Sequence, residues 1–280
     1  MDKKINIKKV YTLKFLIIVV IYNKSLCGIK YLNQINSADI FVYDNSKECQ
    51  EKHPNCNYFH DSNNVGVSAA YNYGIDLAKE KNYDYVILLD QDTDFNEDIL
   101  KIYIETATKY GQNYIYAPIV KNKDKIYSPY IEGKIRNHCQ SLNEFIHKDI
   151  YSLQGKSLIN SGLMIPINLV KYIGYFNKNI KLDFSDTYFI EIYKQKQLSV
   201  VLMNVYLEHE LSGDSAFDSS RELIRYKYYC NGAKEFKKTA SRKLRVDIFV
   251  FFRMAKLICK YRTIVPVFIY IEYYWGNKII

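Results

Sequence analysis

Residues 83–97, YDYVILLDQDTDFNE, decide the fold of this chain. Their apolar run, residues 85–89, is too short for an independent helix, and a continuous apolar run of this length is typical of a strand buried on both faces of a parallel sheet. The run ends at Asp90, with Asp92 two positions later. Ligands of open α/β sheets bind at the carboxyl ends of the strands. The stretch therefore predicts a central strand that carries two acids into a ligand site.

The spacing of Asp90 and Asp92 suits a hard divalent cation. In extended chain, residues two apart point to the same side, roughly 6–7 Å from each other. Two carboxylates so placed can bind the cation while the phosphates of a substrate supply further ligands. The alternative is a polar turn before the next helix, for which Asp94 and Glu97 fit a capping box. That alternative explains Asp94 and Glu97 but not the first two acids.

The composition is that of a folded protein with an excess of positive charge. The chain has 280 residues and a net charge of +9, which suits anionic membrane surfaces or phosphorylated substrates. It has no zinc finger, RNP signature or confined basic helix, so nucleic acid is not an expected partner. Its six cysteines have no CxxC pair and no metal-ligand spacing, which indicates reduced thiols in a cytosolic protein. Lysines before residues 15–22 resemble a signal peptide, but no small-residue cleavage site follows, which favours a first buried strand.

Strands and helices are predicted to alternate along the chain. The predicted strands are residues 14–22, 39–43, 58–60, 85–89, 114–120, 158–166 and 198–207, and the predicted helices are residues 25–34, 68–81, 98–110 and 188–196. This alternation indicates an α/β protein with a mostly parallel central sheet and flanking helices. Residues 121–156 are polar and are predicted to form an irregular loop region over the site. No domain boundary is evident before about residue 215.

Polar residues follow other predicted strands as well. Tyr22 and Asn23 end the first strand, and Asp44 follows the second, where a carboxylate can accept hydrogen bonds from a base or ribose or simply form a turn. Gly66 permits a tight turn or a close backbone approach, and Ser68 can cap the following helix, whose N-terminus suits a phosphate or polar ligand.

A late apolar strand is also interrupted by small polar residues, which indicates a bulge or a close approach of the backbone to a ligand. The interrupting residues are Asn160, Ser161 and Gly162. Asp186 precedes an amphipathic helix and could cap it.

Together these motifs resemble family 2 glycosyltransferases of the GT-A fold, most closely the bacterial rhamnosyltransferase-like branch. The matching segments, in order, are residues 44–46, 64–75, 88–92, 160–162, 183–187 and His209 with Gly213, within a resemblance that covers about residues 14–232. Each motif alone is weak, but six in order are fairly specific. The resemblance departs at Cys230, where the family often has an arginine; Arg221 or Arg225 could supply that charge.

The resemblance implies a role for each matching residue. Tyr22, Asn23 and Asp44 would lie at the nucleotide, with Asp44 on the base, and Asn64 with Gly66 would contact the nucleoside region. Asp92 would be the chief metal ligand, Asp90 would assist through the ribose or the metal, and His209 would touch the metal or diphosphate.

The same resemblance places the acceptor side of the site. Asp186 would be the general base, while Asn160, Ser161, Gly162 and Asp183 would form the acceptor and donor-sugar pocket.

The implied reaction is the inverting transfer of a sugar from a nucleoside-diphosphate donor to an acceptor hydroxyl, with Mg²⁺ or Mn²⁺ as cofactor. The closest branch implies L-rhamnose from dTDP-rhamnose, and UDP-galactose, UDP-glucose or UDP-galactofuranose are alternatives. The implied acceptor is a saccharide or a lipid-linked oligosaccharide in the synthesis of a cell-surface polysaccharide such as capsule or O-antigen.

The sequence changes character in its last part. We expect a catalytic domain over residues 1–215 and a helical extension over residues 216–280, where basic residues interleave with aromatic and aliphatic ones. No stretch has the roughly 18–20 uncharged apolar residues of a spanning helix, whereas a helix lying in a membrane interface fits. A hairpin packed on the sheet domain, or a homodimer contact, is the alternative. The expected location is the cytoplasm, on the inner face of the cytoplasmic membrane.

Two other protein classes use parts of this pattern. Phosphatases of the haloacid dehalogenase type also end a strand in DxD, but they expect Thr or Val where this chain has Asp94. A non-enzymatic basic protein that binds membrane or nucleic acid would use the sheet only as a scaffold. Binding to nucleic acid with a steep salt dependence, without an effect of sugar nucleotides, would favour the latter.

Overall fold

The computed structural model describes residues 12–208 and 219–278. The strands are β1 (Phe15–Ile21), β2 (Asp39–Asp44), β3 (Asn57–His60), β4 (Tyr85–Asp90), β5 (Tyr116–Asn122), β6 (Lys125–Glu132), β7 (Asn137–Ser141), β8 (Ile150–Ser152), β9 (Lys156–Ser157), β10 (Met164–Pro166) and β11 (Ser199–Glu208). The helices are α1 (Val67–Glu80), α2 (Glu97–Tyr110), α3 (Ile167–Ile173), α4 (Ser185–Lys194), α5 (Ser219–Lys237), α6 (Lys243–Tyr261), α7 (Val265–Ile269) and a π-helix (Tyr270–Trp275).

The central sheet has β4 near its middle. Its strand order is β3-β2-β1-β4-β10-β5-β11-β8. The first four strands are parallel, and β11 is parallel to β5, whereas β10 and β8 are antiparallel to their neighbours. The predicted α/β fold with a mostly parallel sheet and C-terminal helices is confirmed.

Both faces of β4 are buried, as its apolar run predicts. Val86 and Leu88 point into one apolar cluster, which also contains residues of α1, α3 and α4. Ile87 and Leu89 point into a second cluster on the opposite face, together with residues of α2. Complete burial of one such side chain contributes roughly 1.5–3 kcal/mol. The two-residue alternation therefore fixes β4 between two cores and leaves only its carboxyl end open to ligands.

The helix predicted over residues 25–34 is wrong. Two short 3₁₀ helices, Leu26–Gly28 and Lys30–Asn33, occupy this stretch, separated by Ile29 in extended conformation. Four of the buried residues, Leu26, Ile29, Leu32 and Ile35, recur every three residues, which matches the 3.0-residue turn of a 3₁₀ helix more closely than the 3.6-residue turn of an α-helix.

Residues 121–156 form strands rather than the predicted irregular loop. The strands β5, β6 and β7 pair antiparallel, and β9 adds to β6. Ile126, Ser128 and Tyr130 of β6 are buried on one face. Because a serine lies in the buried row and most of β7 is polar and exposed, the segment lacks the apolar alternation by which a half-buried strand is recognised.

The predicted capping box of α2 is also wrong. Asn96 is the N-cap, and its Oδ1 accepts the backbone N–H of Ile99 at 3.0 Å. Glu97 instead accepts the backbone N–H of Asn36 at 2.7 Å, which ties the start of α2 to the turn before β2. Asp94, two residues before this N-cap, is exposed. Asp and Asn are almost equally good N-caps, so the sequence did not decide between them.

The C-terminal helices pack against the sheet domain through a third apolar cluster. Ile180, from the segment before α4, lies in this cluster with residues of α5, α6 and the π-helix. A Cβ atom on Gly232 of α5 would lie 2.4 Å from the backbone oxygen of Asp183, so only glycine allows this approach. The proposed boundary near residue 215 falls outside the described residues. Among the helices of the described ranges, none has the length and apolar character needed to cross a membrane.

The turn before α1 is held by a close contact between two backbones. Gly66 has a φ of +88°, and a Cβ there would lie 2.5 Å from Cα and O of Lys181. The N–H of Val67 donates to this same Lys181 oxygen at 2.7 Å. The close backbone approach predicted for Gly66 is therefore present, and its partner is the chain itself.

We expect Gly66→Ala to lower the free energy of unfolding more than Gly111→Ala does. Both glycines have positive φ, where an L side chain costs about 1–3 kcal/mol. Nothing lies within 4 Å of a Cβ on Gly111, whereas overpacking at Gly66 adds about 1–3 kcal/mol. Urea unfolding of the two variants measures the difference. Equal losses would show that the Lys181 backbone does not constrain this position.

Candidate active site

The acids of the central strand lie at a tight turn. Asp90 is the last residue of β4, and its backbone oxygen accepts the N–H of Thr93 at 3.2 Å. The Asp90 N–H donates to Thr93 Oγ1 at 3.1 Å. Asp92 therefore lies in a turn and not in extended chain, contrary to the geometry predicted for the pair. Asp90 is partly buried and Asp92 is exposed.

The loops after β1, β2 and β4 meet at one edge of the sheet. Gln91 Oε1 accepts the backbone N–H of Tyr22 at 3.0 Å, and Ser46 Oγ accepts that of Asn23 at 2.8 Å. Tyr22 and Asn23 are both exposed. Their placement agrees with the rule that the ends of parallel strands share one edge, so the residues predicted from three separate strands do lie together.

Asp44 is enclosed by its own neighbours. It has no exposed surface. Its Oδ1 accepts the N–H of Ser46 at 2.8 Å, and its Oδ2 accepts Gln50 Nε2 at 3.0 Å and the Tyr58 hydroxyl at 2.8 Å. The carboxylate thus fixes the loop after β2. A contact between Asp44 and a base stays a prediction, and it requires one of these hydrogen bonds to be exchanged.

The segment before α1 is occupied by protein contacts. Asn64 has a φ of +48°, and its backbone oxygen accepts Lys181 Nζ at 3.5 Å. Gly66 is the N-cap of α1, so the predicted capping role of Ser68 is wrong. Ser68 is buried in the first turn, and its Oγ lies 2.8 Å from Oγ of Ser185 in α4. This segment therefore joins the two halves of the sheet domain.

Asn160, Ser161 and Gly162 lie against the turn that carries Asp92. Ser161 Oγ is 3.2 Å from Thr93 Oγ1, and the Gly162 oxygen accepts the Tyr103 hydroxyl at 2.8 Å. Gly162 has a φ of +75°, so the predicted irregularity in this strand is present. Asn160 Oδ1 is buried and has no hydrogen-bond partner within the described ranges. An acceptor atom of this kind suits a hydroxyl donor of a ligand.

Asp186 lies in the first turn of α4 and does not cap it. The helix starts at Ser185, three residues before the predicted start, and Phe184 is the N-cap in a left-handed conformation. Asp186 Oδ1 accepts the N–H of Thr187 at 2.7 Å and its Oγ1 at 3.2 Å. These two contacts orient the carboxyl group, and both of them involve Oδ1 and not Oδ2.

Burial raises the pKa of Asp186 to about 6. The hydrogen bonds from Thr187 act in the opposite direction, and the negative charges of Asp183 and Asp90 raise the pKa further. Burial raises the pKa of the Tyr71 hydroxyl, and so do the charges of Asp90 and Asp186 and a hydrogen bond to Asp90. Asp90 and Asp186 therefore interact electrostatically with each other and with Tyr71 of α1.

Two arginines from the C-terminal helices neutralise Asp183. Its Oδ1 lies 3.4 Å from Arg225 Nη2 and 3.6 Å from Arg253 Nη1. The Arg253 guanidinium also lies over the Tyr229 ring, 4.1 Å from the centroid. Arg225 was among the sequence candidates for a compensating charge. Arg253 was missed because it lies in a stretch whose composition indicated membrane contact.

Cys230 cannot replace an arginine in this position. Its side chain is fully buried, and burial raises the pKa of the thiol to about 12. All six cysteines are free, as expected.

The structure brings in two tyrosines that sequence reasoning missed. Tyr71 lies inside the quoted motif of residues 64–75, but its position there is equally typical of a core residue on an amphipathic helix. Tyr130 lies in the segment predicted as loop, and burial together with the charge of Asp186 raises the pKa of its hydroxyl. No pattern in either segment distinguishes these residues from ordinary buried aromatics.

The carboxylates at the strand end give an oxygen donor set. His209, the third predicted metal ligand, lies outside the described residues. Residues 12–208 and 219–278 contain no group of three or more His, Cys, Asp or Glu side chains placed to bind a metal ion. Mg²⁺ and Mn²⁺ accept one or two carboxylates when phosphates and water complete the shell, so Asp90 and Asp92 fit a cation that arrives with a diphosphate.

Part of the chain matches a known family model. Residues 36–163 match the family model described as Glycosyl transferase family 2. A comparison with curated protein sequences gives no match. The matched range covers less than half of the chain, and the rhamnosyltransferase branch stays a prediction.

Three solved structures are similar in fold. TarS from S. aureus has a TM-score of 0.53 at 14% identity, over 90% of this chain and 55% of that one. GalNAc-T7 with UDP, GalNAc and Mn²⁺ has 0.53 at 11% identity, over 94% and 57%. The mannosyltransferase PcManGT from Pyrobaculum calidifontis, in complex with GDP-Man and Mn²⁺, has 0.55 at 10% identity, over 93% and 74%. The chain thus spans little more than half the length of the first two, and at these identities the likeness shows the fold.

We expect Asp186→Asn to raise the free energy of unfolding at neutral pH. The ordinary pKa of 3.8 rises to about 6 in the folded protein, so ionisation of Asp186 destabilises the fold above pH 6. The gain is about 1–3 kcal/mol near pH 7.5 and shrinks as the pH falls from about 6 toward 3.8, below which both states bind the proton. Asn keeps the acceptor for Thr187.

Urea unfolding of both proteins at the two pH values measures the gain. Asp94→Asn is the control, because that residue is exposed and its change should have the same small effect at both pH values. A pH-independent effect of Asp186→Asn would contradict the raised pKa.

Proposed function

We propose that this chain is an inverting glycosyltransferase that moves a sugar from a nucleoside-diphosphate donor to an acceptor hydroxyl. The observation that carries the proposal is that Asp186, in the first turn of α4, and Asp90, at the end of β4, interact electrostatically with each other and with Tyr71. An acid beside the acceptor and acids beside the diphosphate are what a displacement at the anomeric carbon requires. The family match over residues 36–163 supports the same class.

Asp186 would act as the general base. Its carboxylate takes the proton of the acceptor hydroxyl while that oxygen forms a bond to the anomeric carbon. The bond between this carbon and the diphosphate oxygen breaks on the opposite face, and the diphosphate leaves with the electron pair. A pKa of about 6 keeps Asp186 ionised at neutral pH and makes it more basic than an ordinary aspartate. Bases of this kind contribute typically about 10²–10⁴-fold in rate.

Asp90 and Asp92 would hold a Mg²⁺ or Mn²⁺ ion together with the diphosphate, with His209 as a further ligand. When bound, such a cation stabilises negative charge on the departing oxygens. The Tyr71 hydroxyl bonds Asp90 and so keeps that carboxylate oriented. Asp92 is exposed and can turn toward an arriving nucleotide. Two similar folds, GalNAc-T7 and PcManGT, are structures with Mn²⁺.

The donor would bind along the carboxyl edge of the sheet. Its nucleotide would contact Tyr22, Asn23, Asp44, Asn64 and Gly66. The best candidate donor is dTDP-rhamnose, and UDP-galactose, UDP-glucose and UDP-galactofuranose are the alternatives. Asn160, with its buried and unpartnered Oδ1, would receive a sugar hydroxyl, next to Ser161, Gly162 and Asp183. Nucleotide release from a panel of dTDP-, UDP- and GDP-sugars distinguishes these donors.

The acceptor would be a saccharide or lipid-linked oligosaccharide used for a cell-surface polysaccharide, met at the inner face of the cytoplasmic membrane. The C-terminal helices support a peripheral membrane contact, because they present exposed large apolar side chains beside basic ones. The apolar ones include Phe251, Phe252, Phe268, Ile271 and Trp275, each between 51% and 59% exposed. A homodimer through the same surface is the alternative.

We expect Asp92→Ala and Asp186→Asn to fail at different steps. With the donor that the wild-type protein hydrolyses in Mn²⁺, Asp92→Ala should abolish nucleotide release, because the diphosphate loses its cation. Asp186→Asn should bind the nucleotide normally but transfer the sugar about 10²–10⁴-fold more slowly, because only the base is lost. Nucleotide release and equilibrium nucleotide binding are the two measurements.

Asp94→Asn serves again as the control and should behave like wild type. Full transfer by Asp186→Asn would remove that residue from the mechanism. If no sugar nucleotide is hydrolysed and none raises the melting temperature, the transferase proposal is wrong, and a binding protein becomes the better explanation.

We expect the double change Phe252→Ser and Phe268→Ser to weaken binding to anionic phosphatidylglycerol vesicles by about tenfold or more. Even partial burial of two aromatic side chains contributes on this order, since complete burial of one contributes about 1.5–3 kcal/mol. Vesicle sedimentation at low salt measures the binding. Ile146→Ser is the control, because this residue is 75% exposed but lies outside the C-terminal helices. If the wild-type protein does not bind the vesicles but forms a dimer that the double change disrupts, the exposed surface is a subunit contact and not a membrane contact.

A further inference from the structure

A cavity of about 300 Å³ lies between the sheet domain and the C-terminal helices. Its walls come from β6, α4, α5 and α6, and they include Thr187, whose N–H donates to the carboxyl group of Asp186. Asp186 itself does not line the cavity. The volume is at the lower end of the range of about 300–1,000 Å³ for small-molecule sites. The cavity therefore lies next to the segment that carries the proposed general base.

The acids of the cavity wall are already paired. Lys194 Nζ lies 2.9 Å from Glu132 and 3.8 Å from Glu191, and it is itself largely buried. Glu191 also accepts the backbone N–H of Ser241 at 3.0 Å. Asp183 Oδ1 faces the guanidinium groups described above, Arg225 and Arg253, whereas its Oδ2 is buried without a hydrogen-bond partner in the described ranges. The negative charges in the wall are thus neutralised by cations that lie behind it.

The positive charges at the far end have no such partner. Arg242 and Arg245 both line the cavity, and neither forms an ion pair with an acid in residues 12–208 or 219–278. Arg245 donates from Nη2 to Asn137 Oδ1, while its Nε is buried and has no hydrogen-bond partner in those ranges. Glu132 and Glu191 favour the charged form of Arg245 without bonding to it, and burial lowers the pKa of the guanidinium. A buried N–H donor without a partner is costly, and an anion would satisfy it.

The start of α6 adds to this charge. Arg242 is its N-cap and makes no capping hydrogen bond with its side chain. The first N–H groups of a helix have no partner inside the helix, and the helix dipole favours an anion there. Two guanidinium groups and an uncapped helix start thus lie at the same end of the cavity.

Tyr130 connects the two ends of the cavity. It lines the cavity together with Arg245, and its hydroxyl interacts with the charge of Asp186. Phe236 and Phe249 complete the wall with apolar surface, which suits the C–H face of a sugar ring. A molecule that fills the cavity can therefore contact Arg245 and also Tyr130 and Thr187, which both interact with Asp186.

We propose that this cavity binds an acceptor saccharide that carries a negative charge, with its carboxylate or phosphate on Arg242 and Arg245 and its reactive hydroxyl toward Asp186. The assignment rests on the proposed transferase function, since only a transferase needs an acceptor at this place. It specifies the chemical class of the acceptor and makes Arg242 and Arg245 specificity residues for it.

The test compares binding of three glycosides to the full chain by titration calorimetry: methyl β-D-glucuronide, glucose 1-phosphate and methyl β-D-glucoside. We expect at least one anionic glycoside to bind about tenfold or more tightly than the neutral one. Arg245→Gln should remove most of this preference. Because Arg245 is partly buried, Arg242→Gln, at an exposed residue, is tested beside it and should weaken the preference severalfold.

Lys243→Gln is the matched control. This substitution removes the same charge at the start of the same helix. Lys243 does not line the cavity, so the preference for anionic glycosides should remain. If glucose 1-phosphate binds more tightly than methyl β-D-glucuronide, the charged group of the acceptor is a phosphate, and in the opposite case it is a carboxylate. The proposal is overturned if neither anionic probe binds better than the glucoside, or if both arginine variants keep the preference.

Nucleotide binding, measured separately, distinguishes a wrong acceptor assignment from a wrong proposed function. If sugar nucleotides are bound and hydrolysed but the anionic glycosides are not preferred, only the acceptor assignment is wrong. If no sugar nucleotide binds, the proposed function and the acceptor role are overturned together.

Discussion

The contact between the turn before α1 and the segment before α4 determines the geometry of the site. The N–H of Val67 bonds the Lys181 oxygen at 2.7 Å, and Gly66 is the residue that permits this distance. At the next residue, Ser68, the side chain makes a buried hydrogen bond to Ser185 of α4. Since α1 is packed on β4 while α4 carries Asp186, these few bonds place the acid of one half of the domain beside the acids of the other.

The acids so assembled are unfavourable for stability. Ionised carboxylates near one another raise each other's pKa, and burial adds to the effect. In this chain the cost is met in three ways: Thr187 bonds Asp186, Arg225 and Arg253 face Asp183, and the Tyr71 hydroxyl bonds Asp90. Such an arrangement has little value for a scaffold. Acids with a perturbed pKa are typical of functional sites.

Much of the fold could be predicted from the sequence because it depends on burial. The run before Asp90 is apolar on both faces, so its place in the sheet follows from the pattern. The segment with β6 and β7 was missed because Ser128 lies in the buried row, and hydrogen bonding rather than apolar alternation holds the ribbon together. The cap of α2 was misassigned because Asp94 and Asn96 are chemically equivalent candidates, and only the path of the chain selects one.

The candidate site was predictable where it lies at strand ends and not where it depends on distant segments. Tyr22, Asn23 and Asp90 follow from the rule about parallel strands. The enclosure of Asp44 depends on Gln50 and Tyr58, and the pairing of Asp183 depends on Arg253, which is 70 positions away in the chain. No local pattern contains that information.

The approach of Gly232 to the Asp183 oxygen ties the C-terminal helices to the acids of the site. Together with the Arg225 and Arg253 contacts, it makes α5 and α6 part of the wall around the acids. A fragment that ends at β11 would leave Asp183 without either guanidinium and expose Ile180, which lies at the centre of the third cluster. Melting of the helices and loss of order at the acids should therefore be one cooperative event, so that the helical extension is structurally part of the sheet domain.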